Sequence, residues 1–155
     1  MSVIAWDGRS LAADRRVVNG NLINVVSKAF ACRDRIVACS GDVQTSEEIL
    51  DWMDGGNCHP PDYPAAARQN DETSVAVILP EGGIWIYRKS PFPMKLPPQN
   101  FAMGCGRDFA IAAMHCGKTA VEAVAITSLY DCFCGNGIDE FRYEPDGTIT
   151  HIPHL

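Results

Sequence analysis

The spacing of apolar residues changes period four times along this chain, and nothing else restricts its fold as much. Residues 3–6, 10–18, 28–32 and 35–40 are short runs rich in Val, Ile and Ala, parted by Asp7-Gly8, Asn19-Gly20 and Arg33-Asp34. Asn19-Gly20 is a strong hairpin signal. Helical spacing follows as far as Gly55, with Asp42 or Thr45 as the N-cap, Glu47 and Glu48 in the first turn, and Ile49, Leu50 and Met53 as the apolar stripe. Gly55-Gly56 ends that helix. Residues 57–64 read as a Pro-rich loop, and a short helix is predicted over 64–69. Strand runs return at 73–79 and 83–88, around Pro80-Glu81-Gly82. Residues 90–98 hold four of the ten prolines and read as an extended surface connection. A strand at 101–105 leads into helices at 108–116 and 120–130, the second with Thr119 and Glu122 in capping-box positions. A last hairpin, 140–143 with 148–152, turns at Pro145-Asp146-Gly147.

Strand blocks and helix blocks are therefore segregated. That order predicts an α+β fold with antiparallel sheets and not alternating βαβ units. Two sheets with helices packed outside them bury both strand blocks. At 155 residues there is room for one domain, residues 1–155, with a core large enough to need no disulfides.

The chain carries 13 basic and 19 acidic residues, and no basic run is longer than Arg15-Arg16, which argues against a nucleic-acid partner. No apolar stretch approaches the ~20 residues of a membrane-crossing helix. The first residues lack a basic leader and a long apolar segment, so no secretory signal is expected and a cytoplasmic location is. Seven cysteines, an odd number without regular spacing, fit reduced thiols better than a disulfide framework. Cys132-x-Cys134, with His115-Cys116 and Cys105 elsewhere, raises zinc as a rival, but Cys-x-Cys is tighter than the usual Cys-x₂₋₄-Cys of a structural site and no second pair matches it, so no metal and no cofactor is expected. Cys58-His59 are chain neighbours in the Pro-rich loop and make a poor thiol–imidazole pair. Gly104-x-Gly106 lacks the third glycine of a dinucleotide loop.

Ser2 is a different matter. A small residue after the initiator Met normally allows that Met to be removed. Ser2 then bears a free α-amine, whose pKa of roughly 7.7–8.0 lets it act as base for the hydroxyl on the same residue. Read in isolation, a Ser at this position is common, Asp14 is a turn or edge-strand acid, and Lys28 is a solvated strand lysine. The apolar flanks Val25-Val26 and Ala29-Phe30 favour a buried role for Lys28.

Taken together, Ser2-Val-Ile-Ala-Trp-Asp-Gly, Leu11-Ala12-Ala13-Asp14-Arg15-Arg16, Ser27-Lys28-Ala29-Phe30, Arg35-Ile36-Val37-Ala38-Cys39-Ser40-Gly41-Asp42 and Met103-Gly104-Cys105-Gly106-Arg107-Asp108 resemble the proteasome-type N-terminal-nucleophile hydrolases. The likeness is to the small bacterial and phage-borne relatives of the proteasome β-subunit and HslV, and it covers nearly the whole chain. It implies a four-layer αββα sandwich and peptide-bond hydrolysis. Ser2 stands in place of the family's N-terminal threonine. Asp14 falls on the acid that orients the lysine and the amine, and Lys28 on the lysine that lowers their pKa values. Gly41 falls on the glycine whose N–H faces the scissile carbonyl oxygen. Cys105 stands where the family generally has a serine, and Asp131 lies near the acid after the last helix. The resemblance further implies a ring or multi-ring homo-oligomer, an unfolded polypeptide or peptide as substrate, and an ATP-dependent unfoldase as the partner such rings often use. A catalytically inactive, ring-forming scaffold of the same fold is the alternative.

Overall fold

The computed structural model describes residues 1–55 and 62–155. The chain opens with β1 (Val3–Trp6) and β2 (Ser10–Asp14), and continues through β3 (Arg16–Asn19), β4 (Leu22–Val25), β5 (Ala29–Cys32) and β6 (Arg35–Ser40). Helices α1 (Val43–Asp54) and α2 (Ala65–Gln69) follow, then β7 (Ser74–Ile78), β8 (Ile84–Tyr87), β9 (Met94–Leu96) and β10 (Phe101–Gly104). Helices α3 (Arg107–His115) and α4 (Ala120–Tyr130) and strands β11 (Ile138–Tyr143) and β12 (Ile149–His154) complete it. One sheet runs β10-β1-β2-β11-β12, the other β5-β6-β7-β8-β9, and β3 pairs with β4 as a separate ribbon. Neighbouring strands are antiparallel throughout.

Period-two alternation explains how both strand blocks are buried. Ile4 and Trp6 of β1 and Leu11 and Ala13 of β2 share one apolar cluster with Ile36 and Ala38 of β6, Ala76 and Ile78 of β7, and Ile84 and Ile86 of β8. The two sheets thus meet through one face each. The opposite residues of the first sheet, Val3, Ala5 and Ala12, pack with Ala110 and Met114 of α3 and Ala120, Ala123 and Val124 of α4. On the far side of the second sheet, Val37, Val75 and Val77 pack with Ile49 and Trp52 of α1 and Ala67 of α2. Inner strands read as nearly unbroken apolar runs because both of their faces are covered. Helix α4 starts at the expected capping box: Glu122 N donates to Thr119 Oγ1 at 3.2 Å, and Thr119 N to Glu122 Oε2 at 2.9 Å.

Several boundaries differ from the sequence reading. Residues 10–18 are not one strand. At Arg15 the chain leaves the sheet, with Arg15 N donating to Gly135 O at 3.1 Å and Val26 N to Arg15 O at 2.9 Å. The ribbon's turn lies one residue further on: Asn19 pairs with Leu22, so Gly20 and Asn21 are central. Gly20 has φ +60°, the conformation that the first central residue of a II′ turn needs. Asp42, not Thr45, caps α1 and accepts from Thr45 N at 2.8 Å, which puts Glu47 and Glu48 in the second turn. The 90–98 connection contains β9, an edge strand on β8. Pro93 and Pro97 flank its three paired residues, so no backbone donor is missing from the ladder. The Cys58-His59 pair lies outside the described residues.

Candidate active site

Three polar side chains lie buried where β1, β2 and the start of β5 converge: Ser2, Asp14 and Lys28 are 1%, 0% and 7% exposed. Burying a carboxylate and an ammonium is costly unless each is paired and fully hydrogen-bonded. Here both are. Asp14 Oδ1 accepts from Lys28 Nζ at 2.7 Å and Val3 N at 2.9 Å. Its Oδ2 accepts from Arg16 N and Gly135 N, each at 3.1 Å. Lys28 spends its other two protons on Arg16 O at 2.6 Å and Met1 O at 3.1 Å. The β3–β4 ribbon makes this meeting possible. It leaves at Arg16 and returns by Val25, so a lysine fourteen residues away in sequence arrives beside Asp14.

Ser2 is held from several sides. Its hydroxyl lies 2.6 Å from Ser40 Oγ at the end of β6. Its carbonyl accepts from Gly106 N at 3.2 Å and from Cys105 Sγ at 3.3 Å. Gly104, which pairs with Val3, has φ +93°, and a Cβ there would overlap the Ser2 carbonyl, so only glycine permits this approach. Gly41 turns the chain from β6 into the cap of α1 with φ +110°. A Cβ on Gly41 would sit 2.5 Å from Glu72 O.

Ser2, Lys28, Ser40 and Gly41 line one open cleft of about 530 Å³, and Met1 lies at its edge. Val17, Val26, Phe30 and Leu50 supply apolar walls. That volume is typical of a small-ligand pocket. Burial pushes the Cys39 thiol, also in the wall, up to about 12, so it stays protonated and unreactive at neutral pH.

The structure thus brings Ser2, Asp14, Lys28 and Gly41 together. Cys105 and Asp131 belong to an adjoining cluster behind the Ser2 carbonyl and do not line the cleft. Cys105 Sγ lies 3.9 Å from Cys134 Sγ, and Asp131 stands beside both. The hydrogen bond with Cys134 holds the Cys105 thiol down to about 7, against burial and the Asp131 carboxylate. The same bond, together with burial, pushes the Cys134 thiol up. The sequence reading did not single out Ser40 or Gly135. Ser40 carried a usable signal. It continues the row Ile36, Ala38, Ser40 on the inter-sheet face, opposite the row Trp6, Ile4, Ser2.

No family model matches the sequence, and no curated protein matches it. In structure, Thiobacillus denitrificans BPH in complex with epoxomicin is similar, with a TM-score of 0.66 and 17% identity over 93% of this chain and 98% of that one. At this identity the likeness establishes a shared fold and nothing finer. No helix among the described residues is long and apolar enough to cross a membrane.

Proposed function

We propose that this chain is a proteasome-type N-terminal-nucleophile peptidase, with Ser2 as nucleophile once Met1 is removed. One observation carries the reading: a fully satisfied, buried Asp14–Lys28 pair holds the backbone of Met1 and Val3 on either side of the buried Ser2, and Ser2 and Lys28 line the same cleft. A pair of that kind is expensive to maintain without a purpose, since apolar replacements of similar volume are often as stable or more so. In this reading the liberated Ser2 α-amine takes the proton as Ser2 Oγ attacks a peptide carbonyl carbon. The Lys28 ammonium favours the oxyanion form of the hydroxyl and keeps the amine in its basic state. Gly41 N–H stabilises the oxyanion, a contribution on the order of 3 kcal/mol for one such donor. The α-ammonium returns its proton to the leaving amine, and water then hydrolyses the ester. The apolar walls favour substrates with an apolar side chain beside the scissile bond. The chemistry needs no cofactor.

The fold likeness supports reading the two sheets and their helices as the four-layer αββα sandwich of that family, with residues 1–155 as a single domain. In this reading the chain assembles into a cytoplasmic homo-oligomeric ring that admits unfolded polypeptide, served by an ATP-dependent unfoldase. In it Cys105 and Asp131 position Ser2 through its carbonyl. The second reading is an inactive scaffold of the same fold. It is the form in which Met1 stays attached, because Ser2 then has an amide nitrogen and no base. Peptide hydrolysis by Met1-trimmed protein tests the choice. Ser2→Ala is expected to abolish turnover and to cost only about 1 kcal/mol of stability, the worth of its bond to Ser40. Undiminished turnover in a clean Ser2→Ala preparation rules the peptidase reading out.

A further inference from the structure

The loop after α4 turns back onto the corner between β10 and α3, and there it gathers two thiols and a carboxylate. Among the described residues this is the one grouping whose three ligand atoms, from Cys105, Asp131 and Cys134, all lie within 4.8 Å of one another. We infer that Cys105, Cys134 and Asp131 form a binding site for a thiophilic divalent cation, with zinc as the fitting ion.

Three observations support it. First, the sulfurs are 3.9 Å apart. Two sulfurs bound to one tetrahedral zinc at ~2.3 Å stand about 3.8 Å apart, so the thiols need almost no movement to share an ion. A disulfide, by contrast, would require them to close to about 2.05 Å. Second, the ligands sit on a fixed frame. Cys134 N donates to Asp131 O at 3.1 Å, and Phe133 N to Asp131 Oδ1 at 2.9 Å, which sets the spacing within the loop. Third, there is access. Cys134 is buried while Cys105 is exposed, which leaves a path for the ion to the sulfurs. The Cys132-x-Cys134 spacing is too tight for zinc, and the fold uses only one member of that pair and recruits Cys105 from 29 residues away.

Starting from two protonated thiols, binding replaces two S–H bonds by two S–Zn bonds and releases two protons. It also removes the S–H that Cys105 donates to the Ser2 carbonyl, leaving Gly106 N as the donor described there. The site therefore lies behind the candidate nucleophile, but the inference does not rest on the peptidase reading.

Titration of zinc into reduced full-length protein, followed by calorimetry against a competing chelator, tests it. The expected result is one equivalent bound, with an observed heat that varies linearly with buffer ionisation enthalpy because binding releases protons. Cys105→Ser and Cys134→Ala should each weaken binding by more than the roughly 10–100-fold that loss of a supporting group costs. Asp131→Asn, which keeps the shape of the loop, should weaken it about tenfold or more. It serves as the decisive variant if a thiol variant fails to fold by circular dichroism. Cys132→Ala and Ser2→Ala should bind as the parent does. Absence of stoichiometric binding, equal affinity in the parent and in Asp131→Asn, or a loss in Cys132→Ala matching that in Cys105→Ser overturns the assignment.

Discussion

Asp14→Asn probes the buried pair most sharply. The substitution keeps the size and shape of the side chain, but every neighbour it meets is a donor: Lys28 Nζ, Val3 N, Arg16 N and Gly135 N. An amide offers one acceptor oxygen. If that oxygen keeps Val3 N and Lys28 Nζ, the NH₂ group faces Arg16 N and Gly135 N, and both of those donors go unsatisfied. Each buried unsatisfied donor costs about 1–3 kcal/mol. The ammonium of Lys28, 7% exposed, also loses its counter-charge, and breaking a buried pair from one side typically costs about 3–5 kcal/mol in all. These contributions overlap, so the expected loss is about 4 kcal/mol. Lys28→Met in the Asp14→Asn background removes the stranded charge. The double variant should then be more stable than the sum of the single losses indicates, by about 1–3 kcal/mol. Urea unfolding followed by circular dichroism measures all four proteins at one fixed concentration, because self-association would add stability that depends on concentration. A loss under about 1 kcal/mol in Asp14→Asn, or strictly additive variants, would refute the reasoning.

Gly41→Ala puts a side chain at φ +110° and 2.5 Å from Glu72 O, so it should destabilise by more than about 2 kcal/mol and depress peptide hydrolysis. Stability within 0.5 kcal/mol of the parent's, on the order of an ordinary surface substitution, contradicts the strained turn. Asp139 is buried on β11, and burial alone would raise its pKa. Hydrogen bonds from Arg15, His151 and Ser27 outweigh that and hold it down to about 2. Its folded-state pKa lies below the unfolded value, so its contribution is full above about pH 4 and is lost as the pH falls towards 2. Acid titration of stability should lose about 2 kcal/mol over that interval in the parent, at 1.36 kcal/mol per pKa unit, and distinctly less in Asp139→Asn. Parallel curves for the two proteins count against this assignment.

Much of the fold was legible because alternation and capping are local. Ile4 and Trp6 against Val3 and Ala5, and Val37 and Cys39 against Ile36 and Ala38, mark strands with both faces covered. The Thr119–Glu122 capping box needed no tertiary information. The break at Arg15 was not legible, because Gly135, 120 residues away, draws the chain out of the sheet. For the same reason spacing along the chain argued against joining Cys134 to Cys105, and gave no sign of Gly135 as a donor to Asp14. A carboxylate in sequence does not announce which distant N–H groups will close around it. Ser2, Asp14, Lys28 and Gly41 were proposed from their joint pattern; read singly, each would have passed for an ordinary strand or turn residue.

The peptidase reading requires a free amine on Ser2 beside the Lys28 ammonium. Its most direct test is mass spectrometry of the protein purified from its own host, before and after incubation with epoxomicin, with the modified residue located by peptide mapping. The expected result is an N-terminus at Ser2 and a covalent adduct confined to it. An N-terminus at Met1 on every molecule, with no adduct formed, would contradict the enzymatic account.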